Sequence, residues 1–209
     1  MNKSILISGY GSAGRRHANI LSSIVKKKNI TILTNQKISD FRTVKTLKAI
    51  KEIDPSYIVL CNPTNDHLHK IKFIEKNFKD KVVLVEKPLF SKSNKIKIKN
   101  NKYYVGYNLR FNPIISFLKK KIKLKKVWNV NIFCGSYLPG WRSNINYSKS
   151  SSAKKNLGGG VLLDLSHEFD YVQWLFGKIE PEHCKSKKIS NLNIQTDDFF
   201  NLVGKAKKA

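Results

Sequence analysis

The stretch that decides the fold is Ile5-Leu6-Ile7-Ser8-Gly9-Tyr10-Gly11-Ser12-Ala13-Gly14-Arg15-Arg16-His17. A short apolar run passes into Gly-x-Gly-x-x-Gly, and the glycines pass into a helical pattern. Read physically, this is a buried strand over residues 4–9, a tight turn and a helix start. Gly9 permits the sharp turn, Gly11 lets a phosphate approach the main chain, and Gly14 lets helix and strand pack closely. The open N–H groups and positive dipole end of such a helix face a pyrophosphate. Alone, the glycine pattern is weak; directly after a strand and before a helix, it points to a dinucleotide. Gly9, Gly11, Ser12, Ala13 and Gly14 are the expected cofactor contacts.

Working outward, the same alternation repeats. A helix is expected from Ala13 to about Lys26, with Ile20, Leu21 and Ile24 on its apolar face. Ile30–Thr34 reads as a second strand, Tyr57–Cys61 as a third, Val82–Val85 as a fourth and Tyr103–Tyr107 as a fifth. Phe41 to about Ile53 reads as helix or loop, and a helix runs from the Asn62-Pro63-Thr64 turn through His67 to Phe78. Strands alternating with helices at this spacing imply a parallel, doubly wound sheet. Ligands of such sheets bind at the carboxyl ends of the strands. That rule selects Asn62 and Thr64, and Asn35, Pro63, His67 and Glu86 are taken with them as further cofactor neighbours, although Thr64 or Asn65 would also serve as an ordinary helix cap and His67 alone reads as a structural or surface histidine. Lys87, after Glu86 and before Pro88, projects from a strand end into the same crevice. The second strand ends Thr34-Asn35-Gln36-Lys37 without the acid that commonly holds a ribose in NAD sites. Asp40 lies beyond, in a loop. NAD and NADP therefore both stay open, with Lys37 or Arg42 as neighbours of a 2′-phosphate.

After Pro113 the pattern changes. A helix to about Lys121 is followed by Val127–Phe133, which alternates like a strand with one exposed face. A long Ser/Asn/Gly-rich loop then carries Trp141, Arg142 and Tyr147, candidates for substrate contact together with Asn108 and Arg110. Gly158-Gly159-Gly160 opens a helix expected from Val161 to about Phe176, on which Asp164 and His167 share a face. That pair, behind a triple glycine, suits proton transfer. Ile189–Ile194 and Phe199–Val203 read as short strands.

Composition narrows the rest. Among 209 residues, Lys plus Arg number 40 and Asp plus Glu 14, a formal charge of +26. Such a balance suits an anionic partner, but the lysines are dispersed and not interleaved with aromatic residues, so a solvated surface is the plainer reading and no nucleic acid is expected. No stretch reaches the roughly 20 apolar residues that span a bilayer, so no membrane is expected. Cys61, Cys134 and Cys184 have neither disulfide nor metal-ligand spacing, which suits a reducing cytoplasm and no metal.

Together, Gly9-Tyr10-Gly11-Ser12-Ala13-Gly14, Cys61-Asn62-Pro63-Thr64 with His67, Glu86-Lys87-Pro88 and the stretch Gly158 to Asp170 resemble the Gfo/Idh/MocA family of NAD(P)-dependent oxidoreductases. Tyr137–Arg142 and Leu163–Glu168 are similar to a subgroup associated with bacterial surface-sugar and nucleotide-sugar pathways. The resemblance implies a Rossmann domain over residues 1–113. Over 114–209 it implies an α+β substrate domain with an open, mainly antiparallel sheet. It implies hydride transfer between nicotinamide and a sugar or nucleotide-sugar carbon. Lys87 would hold or protonate the reacting oxygen, His167 would be the general acid/base and Asp164 its partner carboxylate. It also implies a homo-oligomer paired through the C-terminal sheet. Gly140 and Asn146 depart from acids common in the subgroup. Family members are longer, so only part of the C-terminal domain is expected, which leaves two alternatives: a non-catalytic dinucleotide-binding remnant, or a basic nucleotide-binding or nucleic-acid-binding module.

Overall fold

The computed structural model describes residues 4–122, 127–143 and 145–207. The chain forms two compact units, Met1–Gly106 and Tyr107–Ala209.

The first unit is a six-stranded parallel sheet. Its strands are β1 (Ile5–Ser8), β2 (Ile30–Leu33), β3 (Arg42–Val44), β4 (Tyr57–Leu60), β5 (Val82–Val85) and β6 (Lys102–Val105), in the order β3-β2-β1-β4-β5-β6. β1 and β2 are buried along their whole length, as expected of parallel strands covered on both faces. Alternate side chains divide the core. Leu6, Ile58, Leu60, Val83 and Val85 pack with Ile71 and Ile74 of helix α3 (Thr64–Asn77). Ile5, Ile7, Ile30, Ile32 and Val59 pack with Ala18 of helix α1 (Ser12–Ile24). The order reverses between β1 and β4, and that switch point marks the ligand crevice of this architecture.

Two expectations for this unit change. Ile20 and Ile24 are 53% and 70% exposed, and the buried residues of α1 are Gly14 and Ala18. Small residues face the sheet because the helix lies close to it. Within Phe41–Ile53, β3 is a strand and only Ile50–Ile53 (helix α2) is helical. An edge strand of three residues is held by pairing with β2 and leaves little periodic signal.

Glu75 of α3 anchors the connection into β6. Its carboxylate accepts from the amides of Lys99 and Asn100, both at 2.6 Å, and from Asn101 Nδ2 and the Tyr103 hydroxyl, both at 3.1 Å.

The second unit begins with a 3₁₀ turn, Asn108–Phe111, and helix α4 (Pro113–Lys121). Asn112 caps α4, its Oδ1 accepting from Ile114 N at 2.9 Å. Helices α5 (Val161–Asp164) and α6 (His167–Phe176) and an antiparallel ribbon of β7 (Ile179–Lys187) and β8 (Phe199–Ala206) follow. The single helix expected over Val161–Phe176 is thus two, interrupted at Leu165-Ser166. Val127–Phe133 forms no ladder, and Trp128 and Phe133 are 92% and 96% exposed. Alternation alone does not make a strand without a partner to take its hydrogen bonds. Ile189–Ile194 is likewise not a strand; β8 pairs instead with the polar run of β7, through main-chain bonds that side-chain pattern does not reveal.

Candidate functional site

In the first unit, three loops meet at the carboxyl end of the sheet near its switch point: Gly9–Gly14 after β1, Cys61–Thr64 after β4 and Glu86–Pro88 after β5. Gly9 has φ +94°, and its N–H donates to Leu33 O at 2.9 Å. A Cβ on Gly14 would stand 2.1 Å from Gly9 O, whereas one on Gly11 would meet nothing within 4 Å. One glycine is required by packing, and the other keeps the approach to the main chain open. Arg15 N–H closes the first turn of α1 on Gly11 O at 2.9 Å, so the amides of Ser12, Ala13 and Gly14 precede the first intrahelical bond. Asn62 Oδ1 is buried and has no hydrogen-bond partner in the protein, so it is available to a ligand. An open glycine approach, a row of helix-start amides and an orphaned polar atom fit a dinucleotide.

Neither Thr64 nor Asn65 caps α3; Pro63 holds the N-cap position without a side-chain bond. His67 is only 1% exposed. Its Nδ1 lies 3.1 Å from Leu89 O and its Nε2 3.0 Å from Asn62 O. The ring therefore ties the turn after β4 to the segment after β5, which makes it the structural and not the surface histidine of the two that its sequence position allowed. Burial disfavours the charged ring and holds its pKa below 6.5, although the carbonyls of Leu89, Asn62 and Pro88 and the Asp66 charge favour protonation.

Glu86 Oε1 lies 2.7 Å from His17 Nε2 and 3.7 Å from an Arg16 guanidinium nitrogen, and Oε2 accepts from Lys87 N at 3.3 Å. The half-buried carboxylate thus couples α1 to the Glu86-Lys87-Pro88 turn. Burial raises its pKa, but the His17 hydrogen bond and charge, the Arg16 charge and the Lys87 amide outweigh that and leave it below 4.5. Sequence reasoning missed His17 as this partner; its only signal was its place one helical turn from Gly14. Burial, reinforced by the Glu86 charge, pushes the Cys61 thiol up to about 12, so Cys61 is no thiolate nucleophile.

These shifts set the sign of a pH dependence. His67, Glu75 and Glu86 all titrate below their ordinary values in the folded unit. Their contribution is full above those values and is lost with acid, first for His67 as the pH falls through 6.5, then for the glutamates as it falls through 4.5. Denaturant midpoints of the unaltered chain should fall between neutral pH and about pH 5, and His67→Gln should flatten that slope. An unchanged slope in His67→Gln would remove His67 as its cause.

In the second unit, Arg110 does not stand free for a substrate. Its Nε and one terminal nitrogen donate to the two Asp170 carboxylate oxygens at 2.7 and 2.6 Å, and its guanidinium lies 5.9 Å from the Trp174 ring centre. Asn108 is exposed on the neighbouring 3₁₀ turn. Trp141, Arg142 and Tyr147 are brought together around a small cavity with Leu138 and Ile145. The Arg142 guanidinium sits 5.6 Å from the Trp141 ring centre, and the Tyr147 hydroxyl accepts from Asn193 N at 3.3 Å.

Asp164 ends α5 and His167 begins α6, and the His167 ring packs edge-on to Tyr107 at 5.6 Å. The triple glycine serves this region. Gly160 has φ +119°, and a Cβ there would stand 2.2 Å from Asp197 Oδ1. Asp197 Oδ2 accepts from Leu162 N at 3.1 Å and Asp197 O accepts from Val161 N at 3.0 Å. Asp197, unnoticed in the sequence, therefore fixes the start of α5; a long-range cap of this kind has no local spacing to announce it. Among the described residues no group of His, Cys, Asp or Glu could hold a metal, and no helix is long and apolar enough to cross a membrane.

Residues 119–202 match the oxidoreductase family Gfo/Idh/MocA, C-terminal alpha/beta domain. No curated protein matches the sequence. Among solved structures, the chain is similar to the WlbA dehydrogenase from Chromobacterium violaceum in complex with NADH and UDP-GlcNAcA. Identity is 18% and the TM-score 0.74, over 100% of this chain and 65% of that one. It is similar to the Bordetella pertussis WlbA dehydrogenase in complex with the same two molecules, at 14% identity and TM-score 0.77, over 99% and 68%. It is similar also to an oxidoreductase from Thermotoga maritima, at 17% identity and TM-score 0.72, over 98% and 69%. This chain thus spans about two thirds of the length of these proteins. Residues 119–202 thus resemble the C-terminal alpha/beta domain of the Gfo/Idh/MocA oxidoreductases, and the chain shares the fold of these dehydrogenases.

Proposed function

We propose that the protein is an NAD(P)-dependent oxidoreductase acting on a hydroxyl-bearing carbon of a sugar or nucleotide sugar. The observation that carries the dinucleotide part is the glycine loop at the switch point, closed at Gly14 and open at Gly11. Gly9, Gly11, Ser12, Ala13 and Gly14 hold the pyrophosphate, and Asn62 offers its buried amide end. The sugar part draws on the complexes of the WlbA dehydrogenases with UDP-GlcNAcA.

When bound, the nicotinamide supplies the hydride acceptor or donor. The chain's own residues handle the proton and the charge. His167 takes the hydroxyl proton in oxidation and returns it in reduction. Asp164 is its partner carboxylate. The Lys87 ammonium stabilises negative charge developing on the substrate oxygen. Trp141, Arg142 and Tyr147 form the candidate sugar-contacting group, since they share one cavity wall.

The test is a titration with NADH followed by nicotinamide fluorescence, then turnover on uridine-diphosphate sugars. Saturable binding, abolished by Gly11→Val, is the expected result. A protein that melts cooperatively and binds no dinucleotide would overturn the proposal.

A further inference from the structure

We propose that the first unit prefers NADP(H) to NAD(H) and that Lys37 and Lys45 set the preference; this rests on the dinucleotide reading above. Gly9 N–H donates to Leu33 O at 2.9 Å, so the glycine loop lies directly against the end of β2. In this architecture the adenosine ribose lies over that strand end, where an acid takes its hydroxyls in NAD sites and a cation accommodates the 2′-phosphate in NADP sites. Here the strand runs out through Thr34-Asn35-Gln36-Lys37, which holds no carboxylate.

The nearest acid in the following segment, Asp40, is placed elsewhere. β3 runs parallel to β2, with Arg42 opposite Thr31 and Val44 opposite Leu33. The Asp40–Phe41 turn that leads into β3 is therefore at the amino end of the sheet. The Phe41 ring reaches along the sheet from there, with the Lys27 ammonium 5.7 Å from its centre on one side and the Tyr10 ring of the glycine loop 6.4 Å away on the other. Thr31 is three residues before Thr34, about 10 Å at the rise of a parallel strand. Asp40 and Arg42 are both set back from the ribose by about that much.

The opposite end of β3 carries a cation in their place. Thr34 N–H donates to Val44 O at 3.0 Å, and the residue after Val44 is Lys45, exposed beside Thr34. Lys37, also exposed, lies three residues beyond Thr34 on the same outgoing segment. The two segments that leave the ribose end of the crevice thus bring Lys37 and Lys45, and among the described residues Thr34–Lys37 and Val44–Lys45 they hold no acid. A 2′-hydroxyl loses the carboxylate acceptor it would use, and a 2′-phosphate meets two charge-assisted donors. Arg42, a candidate from sequence, is replaced in this role by Lys45.

The experiment compares NADPH and NADH by fluorescence titration at low salt, in the unaltered chain, in a Lys37→Glu/Lys45→Glu double variant and in Lys28→Glu. Lys28 lies in the turn before β2, at the amino end. The unaltered chain should bind NADPH at least about tenfold more tightly than NADH. The double variant should abolish that ratio by losing NADPH affinity while keeping NADH affinity, and Lys28→Glu should retain it. Equal affinities, or tighter NADH, in the unaltered chain overturn the preference and leave the dinucleotide reading intact. A ratio that survives in the double variant overturns the role of the two lysines. Binding of neither coenzyme by a cooperatively melting protein overturns both readings.

Discussion

Gly14→Ala is expected to destabilise the first unit by about 3 kcal/mol or more, and Gly11→Val to leave its stability unchanged while removing dinucleotide binding. The two glycines stand three residues apart in one loop and do different work. A methyl on Gly14 would sit 2.1 Å from Gly9 O and 3.0 Å from Gly9 C. Those are main-chain atoms, held by the Gly9–Leu33 hydrogen bond on one side and by packing on Cys61 on the other, so they cannot swing away as a side-chain tip can. Helix α1 must lift from the sheet, exposing the Ala18 face of the core. Domains of this size melt roughly 4–8 °C lower per kcal/mol lost, so the midpoint should fall by at least about 12 °C. Gly11 has φ −76° and ψ −163°, ordinary extended backbone, and open space where its Cβ would be. A valine there costs the fold nothing but stands where a pyrophosphate must approach. Thermal melts and NADH titrations of the two variants give opposite results if this division holds. A Gly11→Val protein that binds NADH as well as the unaltered chain would move the pyrophosphate away from this loop.

How much of this was legible in the sequence follows from what kind of interaction makes each element. β1, β2, β4 and β5 are short apolar runs because both faces of the parallel sheet are covered, and composition alone locates them within a residue or so. The glycine loop was legible because its residue types are dictated locally, by a positive φ and by close approach. Features that depend on partners far along the chain were not. Asp197 meets Leu162 across 35 residues, and Arg110 meets Asp170 across 60. Arg110 reads in the sequence as a substrate contact, and nothing local announces Asp170 as its partner. The break at Leu165-Ser166 has no glycine or proline to mark it, and β7 is too polar to carry a pattern. The alternating run Val127–Phe133 shows the converse error, a strand-like pattern without a ladder. Arg42 and Asp40 are close to Thr34 in sequence, but the register of a parallel pair sends both to the far end of the strand.

His167→Ala is expected to lower kcat by about 10²–10⁴-fold and to leave NADH binding unchanged. In the proposed mechanism the substitution removes the group that exchanges the hydroxyl proton, whereas the glycine loop belongs to the first unit and keeps its own core. The edge-on packing of the ring against Tyr107 is lost at the same time. His167→Asn therefore serves as the better comparison, since it keeps a polar side chain at the start of α6 but cannot accept a proton at neutral pH. The decisive readout is the pH profile. With His167 present, kcat/KM for sugar oxidation should rise with the deprotonation of one group; in either variant that limb should vanish, and added imidazole should restore part of the rate. Lys87→Met should also cut kcat with NADH affinity retained, but the limb should stay, because an ammonium that stabilises an oxyanion contributes charge and not proton acceptance. Asp164→Asn should fall between the two, keeping the limb and shifting its midpoint downward as the imidazolium loses its partner. The substitutions thus separate three roles that a simple loss of activity would merge. If His167→Asn kept its full rate and its limb, proton transfer would belong to another residue; if Lys87→Met lost the limb, the base would be Lys87 itself.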